Sequence, residues 1–120
     1  AFQLVDDVLD LDGDPHVTGK DAWVDLSEGK FTWPLIVATE ADPDLVGFLK
    51  EVAENPSMME DATLARALRS RIVATGALEV TRTLALSYAE AARESLRELP
   101  DHRVVQALEA VIDGCIHRIR

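Results

Sequence analysis

The 120-residue sequence predicts an all-α fold, and three observations support this prediction. Apolar residues recur at spacings of three and four, no segment alternates with a period of two for long enough to form a sheet, and prolines or glycines separate the periodic segments. The length is within the range of one domain, so residues 1–120 are interpreted as a single domain.

The first predicted helix starts with the chain and ends near Leu11. One side is apolar, and the opposite side carries Gln3, Asp6, Asp7 and Asp10. Residues 12–30 lose the periodicity and contain glycines and a proline, which indicates a long loop. Because the chain opens in mid-pattern without a methionine, we expect it to be a piece of a longer protein.

Three shorter helices are predicted next. The second is capped by Thr32 and has a proline in its first turn. The third covers residues 43–54 after a cap at Asp42, and the fourth opens at Asp61 and ends at Gly76.

Two longer helices complete the prediction. The fifth extends to Leu99, with Leu84, Tyr88, Ala91 and Ser95 on one stripe and small alanines that allow close packing. The sixth follows Asp101, and Cys115 on it is interpreted as a small buried hydrophobe. The sixth helix has a wide apolar face formed by Val104, Val105, Leu108, Val111, Ile112, Cys115, Ile116 and Ile119.

Composition excludes several classes of protein. The net charge of −10 argues against nucleic-acid binding, and an anionic ligand would need a bridging cation. The single cysteine permits no internal disulfide and fits a reducing compartment, so a cytoplasmic location is expected. No apolar run is long enough for a membrane span.

The aspartates of the first helix are candidates for a magnesium site. Like charges three or four positions apart cost about 0.2–0.5 kcal/mol per pair, and aspartate is a poor helix former. Mg²⁺ is commonly held by one or two carboxylates, waters and substrate phosphates. Lys20 and Lys30 follow in the loop and could neutralise a diphosphate. The alternative is a solvated acidic helix face.

A calcium-binding loop is a second metal hypothesis. Asp10, Asp12 and Asp14 occupy positions 1, 3 and 5 of a twelve-residue frame. The frame needs glycine at its sixth position and glutamate at its twelfth, where this sequence has Pro15 and Asp21. The calcium hypothesis is therefore disfavoured.

Five segments together resemble a known family. They are "FQLVDDVLD", "GDPHVTGK", "DLSEGKFTWPLI", "TGALEVTRTLALSYAEAARESLRELP" and "ALEAVIDGCIHRIR". Their order and spacing are similar to the trans-isoprenyl diphosphate synthases, or polyprenyl synthetases, from the second aspartate-rich motif onward. The resemblance implies the C-terminal helices of an isoprenoid-synthase-type bundle around a deep cavity, usually in a homodimer. It also implies Mg²⁺-dependent condensation of an allylic diphosphate with isopentenyl diphosphate.

The resemblance assigns roles to the residues of these motifs. Asp6 and Asp7, with Asp10 behind them, would hold Mg²⁺, and Asp25 would lie in its outer shell. Asp6, Asp7 and Lys20 are the expected catalytic residues.

The remaining expected roles concern the diphosphate. Lys20 and Lys30 would contact the allylic diphosphate, and Gln3 would face the substrate. Two positions depart from the family pattern: Trp23 replaces a usual glycine, and Trp33 is interpreted as a core substitution before a proline.

The family's first aspartate-rich motif and its isopentenyl-diphosphate-binding residues lie upstream of these motifs. We therefore expect this chain to need a missing N-terminal half of the same enzyme and to be inactive alone. The alternative is a non-catalytic helical binding or regulatory subunit of the same fold. The faces around Phe2, Val5 and Leu9 on the first helix, and around Val105, Ile112 and Ile116 on the last, are expected to lack partners and to cause self-association.

Replacing Asp6 with alanine tests the metal hypothesis. If Asp6 holds magnesium against the allylic diphosphate, the Asp6→Ala variant of the full-length enzyme loses turnover. Steady-state assays with an allylic diphosphate measure this loss, and unchanged turnover would end the assignment.

Overall fold

The computed structural model describes residues 1–12, 26 and 28–119, and this part of the chain contains helices and no strand. The all-α prediction is confirmed. None of the helices within the described ranges is long and apolar enough to cross a membrane. The described elements are α1 (Phe2–Asp12), α2 (Trp33–Ala41), α3 (Asp44–Glu54), a 3₁₀ helix (Pro56–Glu60), α4 (Ala62–Ala74), α5 (Ala77–Leu96) and α6 (His102–His117).

The predicted caps of two helices are confirmed. The Asp61 carboxylate accepts hydrogen bonds from the backbone N–H groups of Thr63 and Leu64 in α4, and the Asp101 carboxylate accepts one from the backbone N–H of Arg103 in α6 at 2.9 Å. These bonds satisfy donors that have no partner inside a helix. Thr32 occupies the N-cap position of α2 in an extended conformation, although its side chain makes no capping bond.

Helix α5 is the centre of the described fold. It packs against α1, α2, α4 and α6, and its contact with α1 is the most extensive. The buried residues of α5 include a row of small side chains at every fourth position: Ala77, Thr81, Ala85 and Ala89. Residues four apart share one helix face, so this row lets neighbouring helices approach closely.

The four residues of the predicted stripe share one face of α5, but this face is not the buried one. Tyr88, Ala91 and Ser95 are exposed, and Leu84 is half-buried. The helix buries its small residues instead, because close backbone approach replaces the contact area that larger side chains would supply. The helix also ends at Leu96, three residues before the predicted end.

Gly76 joins α4 to α5. Its φ is +80°, in the left-handed region that residues with a β-carbon rarely adopt. A β-carbon built at Gly76 would meet no atom within 4 Å, so the requirement for glycine comes from the backbone conformation.

The main hydrophobic cluster lies between α1, α2, α3, α4 and the start of α5. The buried cluster contains Leu11, Leu26, Leu35, Ala38, Leu45, Leu49, Val52, Leu68, Ile72, Ala77 and Leu78.

A hydrogen bond also joins α4 to α1. Arg69 in α4 donates from Nε to the carbonyl oxygen of Leu11 near the end of α1. This bond provides a partner for a carbonyl at a helix end.

The apolar face of α6 is only partly buried. Ile116 is buried, Cys115 and Ile112 are half-buried, and α6 ends at His117. The expectation that Val5 and Ile116 lack partners is wrong, since both are buried and α1 contacts α6.

The exposed apolar side chains of α6 lie on a different stripe. It consists of Val104, Leu108 and Val111, spaced by four and three residues. This stripe replaces the face expected on the last helix as the candidate surface for self-association, while Phe2 on α1 is exposed as expected.

A charge on this stripe should weaken self-association. We expect the 120-residue chain to form oligomers at high concentration and Leu108→Glu to shift it toward monomer, because a carboxylate in an apolar contact is costly to desolvate. Multi-angle light scattering measures the masses. Gln106→Glu on α6 adds the same charge away from the stripe and is the control. A monomeric wild-type chain would contradict the prediction.

Pro43 occupies the N-cap position of α3 in place of the predicted Asp42. Helix α3 begins at Asp44, and Asp42 accepts two hydrogen bonds from Arg71 of α4, at 2.8 Å and 3.1 Å. The two-bond geometry of Arg71 lowers the pKa of the Asp42 carboxyl from its ordinary value of 3.8. A backbone hydrogen bond from Asp44 also contributes to the lowered pKa of the Asp42 carboxyl. The pair of Asp42 and Arg71 connects the segment after α2 to α4.

The stabilising effect of Asp42 should depend on pH. Because its pKa is lowered in the folded protein, the stabilisation is complete above the ordinary value of 3.8 and is lost as the pH falls through the lowered value. The free energies of unfolding that urea titrations give for wild type and Asp42→Asn should therefore differ at neutral pH. They should become equal at a pH below the lowered pKa of Asp42. Asp44→Asn is the control, since Asp44 lies 3.9 Å from Arg71 and is exposed. Equal effects of the two substitutions would refute the assignment.

Candidate functional site

Helix α1 places Gln3 and Asp7 on neighbouring turns of one face. The Gln3 side-chain amide donates from Nε2 to Asp7 Oδ1 at 3.2 Å. Asp7 is only 8% exposed, whereas the sequence pattern placed it on an outer acidic stripe. A largely buried carboxylate needs polar partners, and the Gln3 amide supplies one.

A cleft opens beside this pair. Its volume is about 450 Å³, within the range of small-molecule sites. The cleft lies between the first turns of α1 and the segment that leads into α2. Its described lining consists of Gln3, Asp7, Lys30, Phe31, Thr32, Trp33 and Ile36.

The polar lining of the cleft contains both signs of charge. Asp7 contributes a carboxylate, and Lys30 contributes an ammonium group on a side chain that is 64% exposed. Lys30 Nζ lies 3.2 Å from Glu28 Oε2, so its charge is partly compensated at the surface. Thr32 lies at the start of α2, where backbone N–H groups carry the positive end of the helix dipole.

The other part of the lining is apolar. Phe31 and Trp33 are large aromatic residues that remain more than 40% exposed, and Ile36 follows one turn later. The interpretation of Trp33 as a core residue is wrong, because 41% of its surface is accessible and it lines the cleft. A ligand with a charged end and an apolar body would match such a cleft.

The predicted acidic stripe is divided between two environments. Successive helix residues point about 100° apart, so adjacent aspartates cannot share one direction. Asp7 lines the cleft, while Asp6 Oδ1 lies 3.0 Å from Arg118 Nη2 at the end of α6. Asp10 is half-buried on α1, and neither Asp6 nor Asp10 is among the described lining residues.

The structure therefore brings together three of the seven residues predicted for the site: Gln3, Asp7 and Lys30. Lys20 and Asp25 lie outside the described residues, as do Trp23 and most of the frame considered for calcium. Sequence analysis did not predict that Phe31, Thr32 and Ile36 would line the cleft. The only signal for them was their position next to Lys30.

The side chains of the cleft can be compared with the ligands that Mg²⁺ prefers. Within the described ranges, no group of three or more acidic, histidine or cysteine side chains could hold a metal ion. Asp7 presents a single carboxylate to the cleft. Because Mg²⁺ commonly uses one or two protein carboxylates and takes its remaining oxygens from water and phosphate, the cleft fits this ion when a phosphate ligand is present.

Comparisons of the sequence with known proteins show which family this chain belongs to. The family model for polyprenyl synthetase matches residues 1–70. The chain is 37% identical over 118 residues to decaprenyl-diphosphate synthase subunit 1 of Schizosaccharomyces pombe, covering 98% of this chain and 30% of that relative. It is 36% identical over 127 residues to the geranylfarnesyl diphosphate synthase of Aeropyrum pernix, covering 100% of this chain and 37% of that relative.

A third relative agrees with these two. The nonaprenyl diphosphate synthase of Mycobacterium tuberculosis is 34% identical over 119 residues, which cover 98% of this chain and 35% of that relative. No solved structure matches the chain. The chain belongs to the polyprenyl synthetase family, and it spans about a third of the length of these relatives and matches their C-terminal part.

Proposed function

We propose that this chain is the C-terminal part of a prenyltransferase that condenses an allylic diphosphate with isopentenyl diphosphate into a longer isoprenyl diphosphate. The observation that carries the proposal is the cleft in which Gln3, Asp7 and Lys30 meet beside two exposed aromatic rings. The names of the relatives, all prenyl diphosphate synthases, support the same class of reaction.

The two parts of the cleft suit the two parts of an allylic diphosphate. Lys30 binds the diphosphate through its ammonium group, which is flexible and carries three donors. Phe31, Trp33 and Ile36 accept the isoprenoid chain, whose transfer from water to an apolar wall is favourable by about 25 cal/mol per Å². The substrate is thereby oriented with its charged end toward Asp7.

Magnesium is the metal that the proposal requires. Asp7 would hold it in the cleft, with Asp6 and Asp10 as the further aspartates of the motif and Asp25 in the outer shell. When bound, Mg²⁺ supplies positive charge that stabilises diphosphate as it leaves. Gln3 orients the Asp7 carboxylate through its 3.2 Å hydrogen bond and so fixes the direction in which the oxygens point.

Lys20 and Lys30 have complementary roles in the proposal. Both neutralise charge on the diphosphate, and Lys20 is assigned as a catalytic residue because of its position in "GDPHVTGK", which resembles the family motif. Preplaced cations lower the barrier to ionisation since they stabilise the leaving diphosphate more than the bound substrate.

Partners and location complete the proposal. The active enzyme contains an N-terminal half with a second aspartate-rich motif, and it assembles as a homodimer in the cytoplasm. The exposed apolar stripe of Val104, Leu108 and Val111 supports association, and the single cysteine supports a reducing compartment. Two other relatives carry mitochondrial or chloroplastic locations in their names.

Substitutions in the cleft test the proposed function. In the complete enzyme, Lys30→Gln should lower kcat/KM for the allylic diphosphate about 10- to 100-fold, the value of a lost charged hydrogen bond. Asp7→Asn should lower kcat about 100- to 1000-fold because it removes a metal ligand at the reacting group. Lys50→Gln is the control, since Lys50 is an exposed lysine of α3 that does not line the cleft.

The same assays separate the enzyme from the non-catalytic subunit. Steady-state kinetics with both diphosphates give kcat and KM, and circular dichroism verifies that each variant remains folded. If the folded wild-type protein gives no turnover, the hypothesis of a helical binding or regulatory subunit replaces the proposal. If both cleft variants are folded and turn over like wild type, the assignment of the cleft as the active site is wrong.

A further inference from the structure

The chain turns sharply at Gly29, one residue before the cleft begins. The φ of Gly29 is +83°, in the left-handed region that residues with a β-carbon rarely adopt. Its backbone N–H donates to the Leu26 carbonyl oxygen at 3.1 Å. A β-carbon built at Gly29 would meet no atom within 4 Å, so the backbone conformation requires glycine here and the available space does not.

Two buried leucines of the same hydrophobic cluster hold the segment that contains this turn. Leu26 before the turn and Leu35 after it are 4% and 1% exposed, and both belong to the main cluster. Residues 28–31 between them are exposed. Because a shift of either leucine would disrupt a closely packed core, the exposed residues must absorb any change of conformation at Gly29.

Lys30 follows the turn directly and lines the cleft. The φ of Gly29 sets the direction in which the chain leaves the turn, and therefore the point from which the Lys30 side chain starts. Glu28 Oε2, on the other side of Gly29, lies 3.2 Å from Lys30 Nζ, but these side chains are 55% and 64% exposed. Exposed ion pairs are weak, so the backbone contributes more than Glu28 to the direction of Lys30.

We propose that Gly29 is a positioning residue whose left-handed conformation directs the Lys30 ammonium group toward the diphosphate in the cleft. This inference rests on the proposed function, which assigns Lys30 to the diphosphate. A residue with a β-carbon moves φ away from +83°, so the ammonium group keeps its charge and loses its alignment. The long lysine side chain compensates in part, so the loss is smaller than the loss caused by Lys30→Gln.

Substitutions of Gly29 provide the first test. In the complete protein, isothermal titration with inorganic diphosphate in buffer containing MgCl₂ should give a dissociation constant about three- to ten-fold higher for Gly29→Ala than for wild type, part of the value of a charged hydrogen bond. Gly29→Asn should be closer to wild type and Gly29→Val further from it, because asparagine tolerates the left-handed region best and β-branched residues tolerate it least. Gly47→Ala in α3 adds the same methyl group in open space and should leave the affinity unchanged.

A double-mutant cycle separates the positioning of Lys30 from a general loss of structure. If Gly29 acts through Lys30, Gly29→Ala should change the dissociation constant by less than about twofold in a Lys30→Gln background. Gly76→Ala imposes the same kind of strain, at φ +80°, and any effect that it has should persist in that background. Circular dichroism verifies folding, and Gly29→Asn takes the place of Gly29→Ala in the cycle if the alanine variant does not fold.

The outcomes separate this inference from the proposed function. Wild-type affinity in folded Gly29 variants, an affinity order other than Asn, Ala, Val, an undiminished effect of Gly29→Ala in the Lys30→Gln background, or a wild type that binds no diphosphate would each overturn the role of Gly29. The prenyltransferase proposal is judged by the turnover of wild type, Asp7→Asn and Lys30→Gln, in which Gly29 is unchanged.

Discussion

The described fold depends on the close packing that a row of small residues allows along α5. Ala77, Thr81, Ala85 and Ala89 are almost completely buried. The one polar group in this row is satisfied locally, because the Thr81 hydroxyl donates to the Ala77 carbonyl at 2.8 Å. With no large side chain in the row, α1 and α2 can both pack against the same helix. The positions of the two cleft walls follow from this shared support.

The shared support explains how a buried carboxylate can be held beside an open cleft. The apolar side of α1 is fixed by Val5 and Val8, which are buried. Asp7 lies between them in sequence, and its helix position turns it toward the segment before α2. The hydrophobic burial of α1 therefore offsets the cost of withdrawing one charge from water, and the Gln3 amide reduces that cost. The packing of Val5 and Val8 and the position of the Asp7 charge therefore depend on the same helix, α1.

Sequence patterns predicted the elements better than their partners. Local chemistry determined the helix starts at Asp61 and Asp101, so both could be predicted, whereas Asp42 bonds to an arginine on another helix and could not. Periodicity also shows which residues share a face without showing which face is covered. For the site, the motif order predicted Gln3, Asp7 and Lys30, but the contact of Arg118 with Asp6 joins opposite ends of the chain and left no local signal.

The conformation of Gly76 has a consequence for how this protein tolerates change. A residue with a β-carbon would move the backbone away from φ +80° and would alter the angle at which α5 leaves α4. Because α5 supports the helices on both sides of the cleft, a change of that angle would alter the spacing between the aromatic wall and the carboxylate. The geometry of the cleft is therefore sensitive to a position that has no side chain and is not among its described lining residues.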